Sequence, residues 1–236
     1  MVKYTTFLTT LMMTIFSAAA ASGQSNDVYI EQVGDALGLV INQTGNSNNV
    51  GGIDNDFTLQ GDNMEVNIDQ TGDSNSIDGQ IVKADGVVAN IEMIGNANQF
   101  DVNMGTTGDV TDSTVDVTVT GDTNVVDLTT GPDNSAIGAD VDIAITGSEN
   151  QMASVIDSDT AVLNATVDGD LNTINTTQEG WSDNSITMTL SGSDNQIDIL
   201  QSNDMQSSVI DLDSTMSGGT IEINQTSTQL PLIQPR

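Results

Sequence analysis

The chain has 236 residues, with 34 acidic side chains against three lysines and arginines and a formal net charge of −31 at pH 7. A field of that size repels nucleic acid and anionic membrane and favours solubility over association, so nucleic-acid binding is excluded as a function class. Histidine and cysteine are absent and aromatic residues make up 3%, which leaves no disulfide framework, no thiolate metal site and little platform for stacking on sugars.

The first element in chain order is an export signal. Lys3 supplies a positive n-region, an apolar stretch runs from about Phe7 to Phe16, and Ala18, Ala19, Ala20 and Ala21 offer small-residue cleavage positions. The stretch is too short for a membrane span, and polar Ser22-Gly23-Gln24-Ser25 follow it. The expectation is a signal peptide over 1–21, no membrane span, and a mature chain that is secreted, extracellular or on a bacterial cell surface. Residues 22–38 form an N-terminal half-repeat segment carrying Gln32-Val33-Gly34.

From 39 to 226 the sequence repeats. A glycine is followed three residues later by an asparagine at Gly45/Asn48, Gly72/Asn75, Gly95/Asn98, Gly121/Asn124, Gly147/Asn150, Gly169/Asn172 and Gly192/Asn195. Successive glycines lie 27, 23, 26, 26, 22 and 23 residues apart, a period that means stacked copies of one small unit. Aligned on the glycine, the position six before it reads Leu39, Val66, Ala89, Val115, Val141, Leu163 and Ile186. Four before it stand Ile41, Ile68, Ile91, Val117, Ile143, Ala165 and Met188, and five after it Val50, Ile77, Phe100, Val126, Met152, Ile174 and Ile197. Apolar residues two apart, with Asn, Asp, Thr and Ser between them, are strands with one buried face. Each unit therefore reads strand, tight Gly-x-x-Asn turn, strand, looser turn. The tight turn uses glycine's freedom at positive φ and asparagine's tolerance of the left-handed region.

The looser turns are Gly105-Thr106-Thr107-Gly108, Gly131-Pro132-Asp133-Asn134 and Gly180-Trp181-Ser182-Asp183. They absorb the variation in repeat length. One unit cannot bury its apolar face alone, so the copies stack. The expected fold is an all-β solenoid of about seven rungs, roughly 30 Å tall at about 4.8 Å per strand. The asparagine column then makes a ladder of side-chain amides bonded above and below.

Stacking also brings like charges together. Two carboxylates at about 4.8 Å repel by about 0.9 kcal/mol even in the dielectric of water. The residue after each repeat glycine is Asn46, Asp73, Asn96, Asp122, Ser148, Asp170 and Ser193, so aspartate alternates with a neutral residue. This reads as charge spaced along the stack, with self-association restrained at neutral pH. At the far end Ile221-Glu222-Ile223-Asn224-Gln225-Thr226 reads as a last strand, and the tail 227–236 carries the pairing-breakers Pro231 and Pro235.

Gln43-Thr44-Gly45-Asn46-Ser47-Asn48-Asn49-Val50 and Gln70-Thr71-Gly72-Asp73-Ser74-Asn75-Ser76-Ile77 resemble the repeats of the curlin family. The family's glutamine two before the glycine is kept at Gln32, Gln43 and Gln70, and its closing glutamine at Gln178 and Gln201. In later copies the first is replaced by Met93, Val119, Ile145, Val167 and Leu190, and the family's second glycine is missing throughout. The resemblance implies a divergent subunit of functional amyloid fibres for adhesion and biofilm matrix. It also implies two partners: a nucleator subunit and an outer-membrane secretion channel.

Other classes fit less well. A non-polymerising, calcium-responsive adhesin or matrix solenoid would share the signal, the repeats and the acidity. No dedicated calcium motif is present, so no cofactor is expected beyond loose calcium binding by surface carboxylates. With no histidine, two cations left after cleavage and no nucleophile–base constellation, the chain is not expected to be an enzyme. Thr118/Thr120 and Thr187/Thr189 are only fragments of an ice-binding face.

Overall fold

A computed structural model describes residues 12–18, 27–28, 30–51, 57–82, 84–95, 97–105, 110–121, 123–130, 136–147, 149–169, 171–180, 184–192, 194–203, 209–216 and 218–227. The described chain is all-β and winds as a solenoid. Its strands alternate between two long parallel sheets, and a strand in one sheet is followed by a strand in the other.

The first sheet runs Met12–Ala18, Gly38–Thr44, Glu65–Thr71, Val88–Ile94, Thr114–Thr120, Asp140–Thr146, Val162–Asp168, Ser185–Gly192 and Val209–Met216. The second runs Glu31–Val33, Phe57–Gln60, Ile77–Val82, Gln99–Met104, Val125–Thr130, Gln151–Asp159, Thr173–Gly180, Gln196–Asn203 and Thr220–Ser227. The strand Met12–Ala18, inside the expected signal segment, pairs with Gly38–Thr44. A third, short sheet joins Ala84–Asp85, Val110–Thr111, Ala136–Ile137 and the end of Gln151–Asp159.

Register places equivalent residues of successive copies directly opposite. Leu39 meets Val66, Val66 meets Ala89, and the column continues through Val115, Val141, Leu163 and Ile186. In the second sheet Ile77, Phe100, Val126, Met152, Ile174 and Ile197 align in the same way. All three apolar columns of the repeat are buried, and they form one continuous core between the sheets. Burying one Val, Leu or Ile contributes about 1.5–3 kcal/mol. A coil gains that only when its neighbours close over it, so the copies hold one another in place.

The turn opposite the Gly-x-x-Asn corner takes up the differences in repeat length. It is long between Met104 and Thr114 and short between Ile156 and Val162, yet strand register is unbroken on both sides. The short third sheet forms beside it. The six of these turns before Val162 each close with a left-handed residue: Ala36, Asn63, Gly86, Asp112, Gly138 and Thr160 have φ of 58°, 54°, 64°, 48°, 69° and 59°. The next residue points into the core, at Leu37, Met64, Val87, Ser113, Ala139 and Ala161. Most of the turn residues at 105–108, 131–134 and 180–183, including Trp181, lie outside the described residues, as do Lys83, Pro231 and Pro235.

Candidate assembly site: the stacked corners and the ends of the coil

The seven Gly-x-x-Asn segments form one corner of the solenoid, each directly above the last. All seven asparagines point inward and are at most 3% exposed. Asn75 Nδ2 donates to Asn48 Oδ1 at 2.6 Å, and Asn98 Nδ2 donates to Asn75 Oδ1. Asn124 then donates to Asn98, Asn150 to Asn124 and Asn172 to Asn150, each at 2.7 Å, and Asn195 donates to Asn172. The result is an unbroken amide ladder with one polarity, every donor facing the N-terminal end of the stack. At its ends Asn48 Nδ2 and Asn195 Oδ1 are buried without a partner.

The glycines are required for a different reason from the one a single turn suggests. Only Gly45 and Gly72 have positive φ among the seven, at 153° and 148°. None of the ladder asparagines is left-handed; the left-handed residues sit at the opposite turn. What excludes a side chain is the coil beneath. A Cβ on Gly121 would lie 1.5 Å from Gly95 O and 2.3 Å from Asn98 Oδ1, and Gly72, Gly95, Gly147, Gly169 and Gly192 meet the same obstruction. The glycine N–H donates in the other direction, Gly95 to Thr120 O at 2.9 Å and Gly121 to Thr146 O at 3.0 Å. The glycine column lets backbones come close enough for the amides to bond.

Four of the glutamines singled out in the sequence, Gln43, Gln70, Gln178 and Gln201, face the core. Gln43 and Gln70 are each 1% exposed, Gln43 Nε2 donates to Gln70 Oε1 at 3.1 Å, and Gln70 Nε2 reaches Ser76 O at 3.1 Å. Gln178 and Gln201 are buried near the other end and donate to Ala161 O and Asn184 O at 3.0 and 3.2 Å. The Gln32 backbone lies in Glu31–Val33, opposite Leu59. Between these ends the same columns are mostly apolar, with Met93, Val119, Ile145, Val167 and Leu190 in the first sheet.

The acids are less evenly spaced than the turns suggest. Of the positions after the glycines, Asn46 and Asp73 are described and exposed, while 96, 122, 148, 170 and 193 lie outside the described residues. On the outer strand faces, register stacks carboxylates directly: Asp78 on Asp101 and Asp101 on Asp127, Asp69 on Glu92, Asp116 on Asp142, and Asp198 on Glu222. A shallow groove crosses the first sheet between Asp116, Thr118, Asp142, Asn164 and Thr166, where Ala144 is small. Asn164 Nδ2 donates to Asp142 Oδ1 at 2.7 Å. Partial burial, then the Asp142 and Asp140 carboxylates and a hydrogen bond with Asp142, raise Asp116 above the ordinary carboxylate range. Asp140 is raised by burial and then by Asp142. Among the described residues, no group of three or more acidic side chains is placed to hold a metal ion. No helix there is long and apolar enough to cross a membrane.

The far end of the stack was only half legible. The last strand, read as 221–226, is Thr220–Ser227, and it belongs to a further coil with Val209–Met216. That coil was hidden because register puts Met216 opposite Gly192, in the glycine column, and Gly219 next to Asn195 where an asparagine would stand. Comparison with protein-family models, with curated proteins and with solved structures returned no match for this chain.

Proposed function

We propose that this is a secreted structural protein of the curlin type, whose coils stack end to end with those of other copies to build extracellular fibres for adhesion and biofilm matrix. The observation that carries the reading is the open C-terminal end. Ile221 and Ile223 are 45% and 46% exposed, whereas Ile197 and Ile199, their partners one coil earlier, are fully buried. In the first sheet Ile210 and Leu212 continue the core columns and are only partly covered. Strands Val209–Met216 and Thr220–Ser227 are edge strands with no neighbour on that side among the described residues, and such edges pair with other chains. In-register parallel stacking of like residues is the same contact that cross-β assemblies repeat between molecules.

The carboxylate stacks act against this association. Fibre growth is therefore faster near the isoelectric point of about 4.1, or with a divalent cation, than at neutral pH and low salt. By resemblance, a nucleator subunit starts the fibre and an outer-membrane channel exports the chain. The reading assigns no catalytic chemistry. The test is electron microscopy and thioflavin fluorescence of the secreted chain, residues 22–236, at pH 4 and pH 7 with and without calcium. Fibres in acid or with calcium are expected. A chain that stays monomeric throughout, or folds only when calcium is added, would count for an acidic matrix solenoid instead.

A further inference from the structure

The final coil continues the core of the stack but breaks its corner. Register carries Ile186 into Ile210 and Met188 into Leu212 in the first sheet, and Ile197 into Ile221 and Ile199 into Ile223 in the second. All four are apolar, and Ile210, Leu212 and Met216 pack on the core. At the corner both invariant residues change. The glycine position is Met216, whose side chain the preceding coils have no room for. The asparagine position is Gly219, which has no amide to offer.

The two changes fit each other. A Cβ on Gly219 would lie 1.6 Å from Met216 Cε and 2.7 Å from Asn195 O. The methionine methyl thus occupies the space into which the eighth amide would project. Beneath it, Asn195 Oδ1 is buried and has no hydrogen-bond partner. The acceptor end of the ladder is closed by an apolar group, although the apolar columns beside it stay open. At the other end Asn48 Nδ2, a buried donor, is also unpartnered.

We propose that the coil Val209–Ser227 is a built-in brake on end-to-end stacking, acting through Met216 and Gly219. A second copy arriving at this end finds apolar columns and backbone edges, but no amide to bond and no tight corner to fix its register. The brake rests on the stacking reading above, and it places the stop at the corner of the last coil, apart from the prolines of the tail.

The test restores the corner. Met216→Gly with Gly219→Asn rebuilds the pattern of the other seven, and Met216→Gly alone removes the plug without needing the new amide to fit. Met216→Leu is the control. Circular dichroism first establishes that each secreted chain is folded. Seeded elongation is then followed at one pH and ionic strength. The double variant is expected to elongate about fivefold faster than the unaltered chain, the factor that one additional net hydrogen bond supplies. Met216→Gly lies between them and Met216→Leu is unchanged. Fibres from the unaltered chain with equal or slower growth of both glycine variants would overturn the brake and leave the stacking reading intact. Fibres from the double variant alone would support the brake and show that the unaltered chain is held as a monomer. No fibres from any of the four would overturn both.

Discussion

Replacing Asn124 by alanine tests the amide ladder at its centre. Asn124 is fully buried, donates to Asn98 Oδ1 at 2.7 Å and accepts from Asn150 Nδ2 at 2.7 Å. The substitution removes both bonds and takes a partner from each neighbour in a site that water does not reach. Depriving one buried polar group of its partner costs about 1–3 kcal/mol, so two give about 2–6 kcal/mol. Asn48→Ala is the internal comparison. Asn48 accepts one bond from Asn75 and its Nδ2 is already without a partner, so its loss costs about 1–3 kcal/mol, half as much. Asn124→Asp adds a sign. It keeps the shape and the acceptor, loses the donor, and buries a carboxyl whose folded pKa is raised above its unfolded value of about 3.9. The stability of that variant is greatest below the unfolded pKa and falls as pH rises through the folded one. Urea unfolding of residues 22–236 at pH 7, repeated toward pH 3 at chain concentrations too low for assembly, gives all three values. If Asn48→Ala costs as much as Asn124→Ala, or if the aspartate variant does not recover in acid, the ladder is not what holds the corner.

Two further outcomes follow from the same geometry. Gly121→Ala puts a methyl 1.5 Å from Gly95 O and is expected to abolish cooperative unfolding or lower the unfolding free energy by about 3 kcal/mol, the upper end of forced overpacking; Gly38→Ala, with nothing within 4 Å of the new methyl, changes it little. Asp116 has a folded pKa raised above 3.8, so its contribution to stability is present in acid and lost as pH rises through the folded pKa. Asp116→Asn therefore raises the thermal midpoint at pH 7 more than at pH 3, and an equal change at both would refute the carboxylate repulsion.

The columns at Leu39, Ile41 and Val50 and their counterparts are legible in the sequence because period-two alternation recurs at fixed distances from a glycine, which local propensity alone cannot arrange. The reason for the glycine is not legible in the same way. A turn considered alone asks for positive φ; the obstruction at Gly121 comes from a residue 26 positions away, Gly95, and exists only once the coils are stacked. The same non-locality hides the carboxylate stacks, since Asp78, Asp101 and Asp127 align through strand register and not through the turns that mark the repeat. Thr130, Ser154 and Thr176 mislead in the opposite direction: they are buried in the second sheet's inner face, although their residue type suggests a solvated one. The last coil escapes because the two markers that identify a repeat, glycine and asparagine, are the two positions it changes.

The turn opposite the ladder has a consequence for what this scaffold could carry. Its length differs from coil to coil while the strands on both sides keep their register, and in the six coils up to Thr160 it closes on a left-handed residue that returns the chain to the core. Segments inserted there would be displayed along one side of the rod at an axial interval of about 4.8 Å, the distance between neighbouring strands. Insert length would not alter that interval. The asparagine corner sets the pitch, and the opposite turn is free to diversify in sequence and length, so an array of such coils is a ruler with replaceable markings.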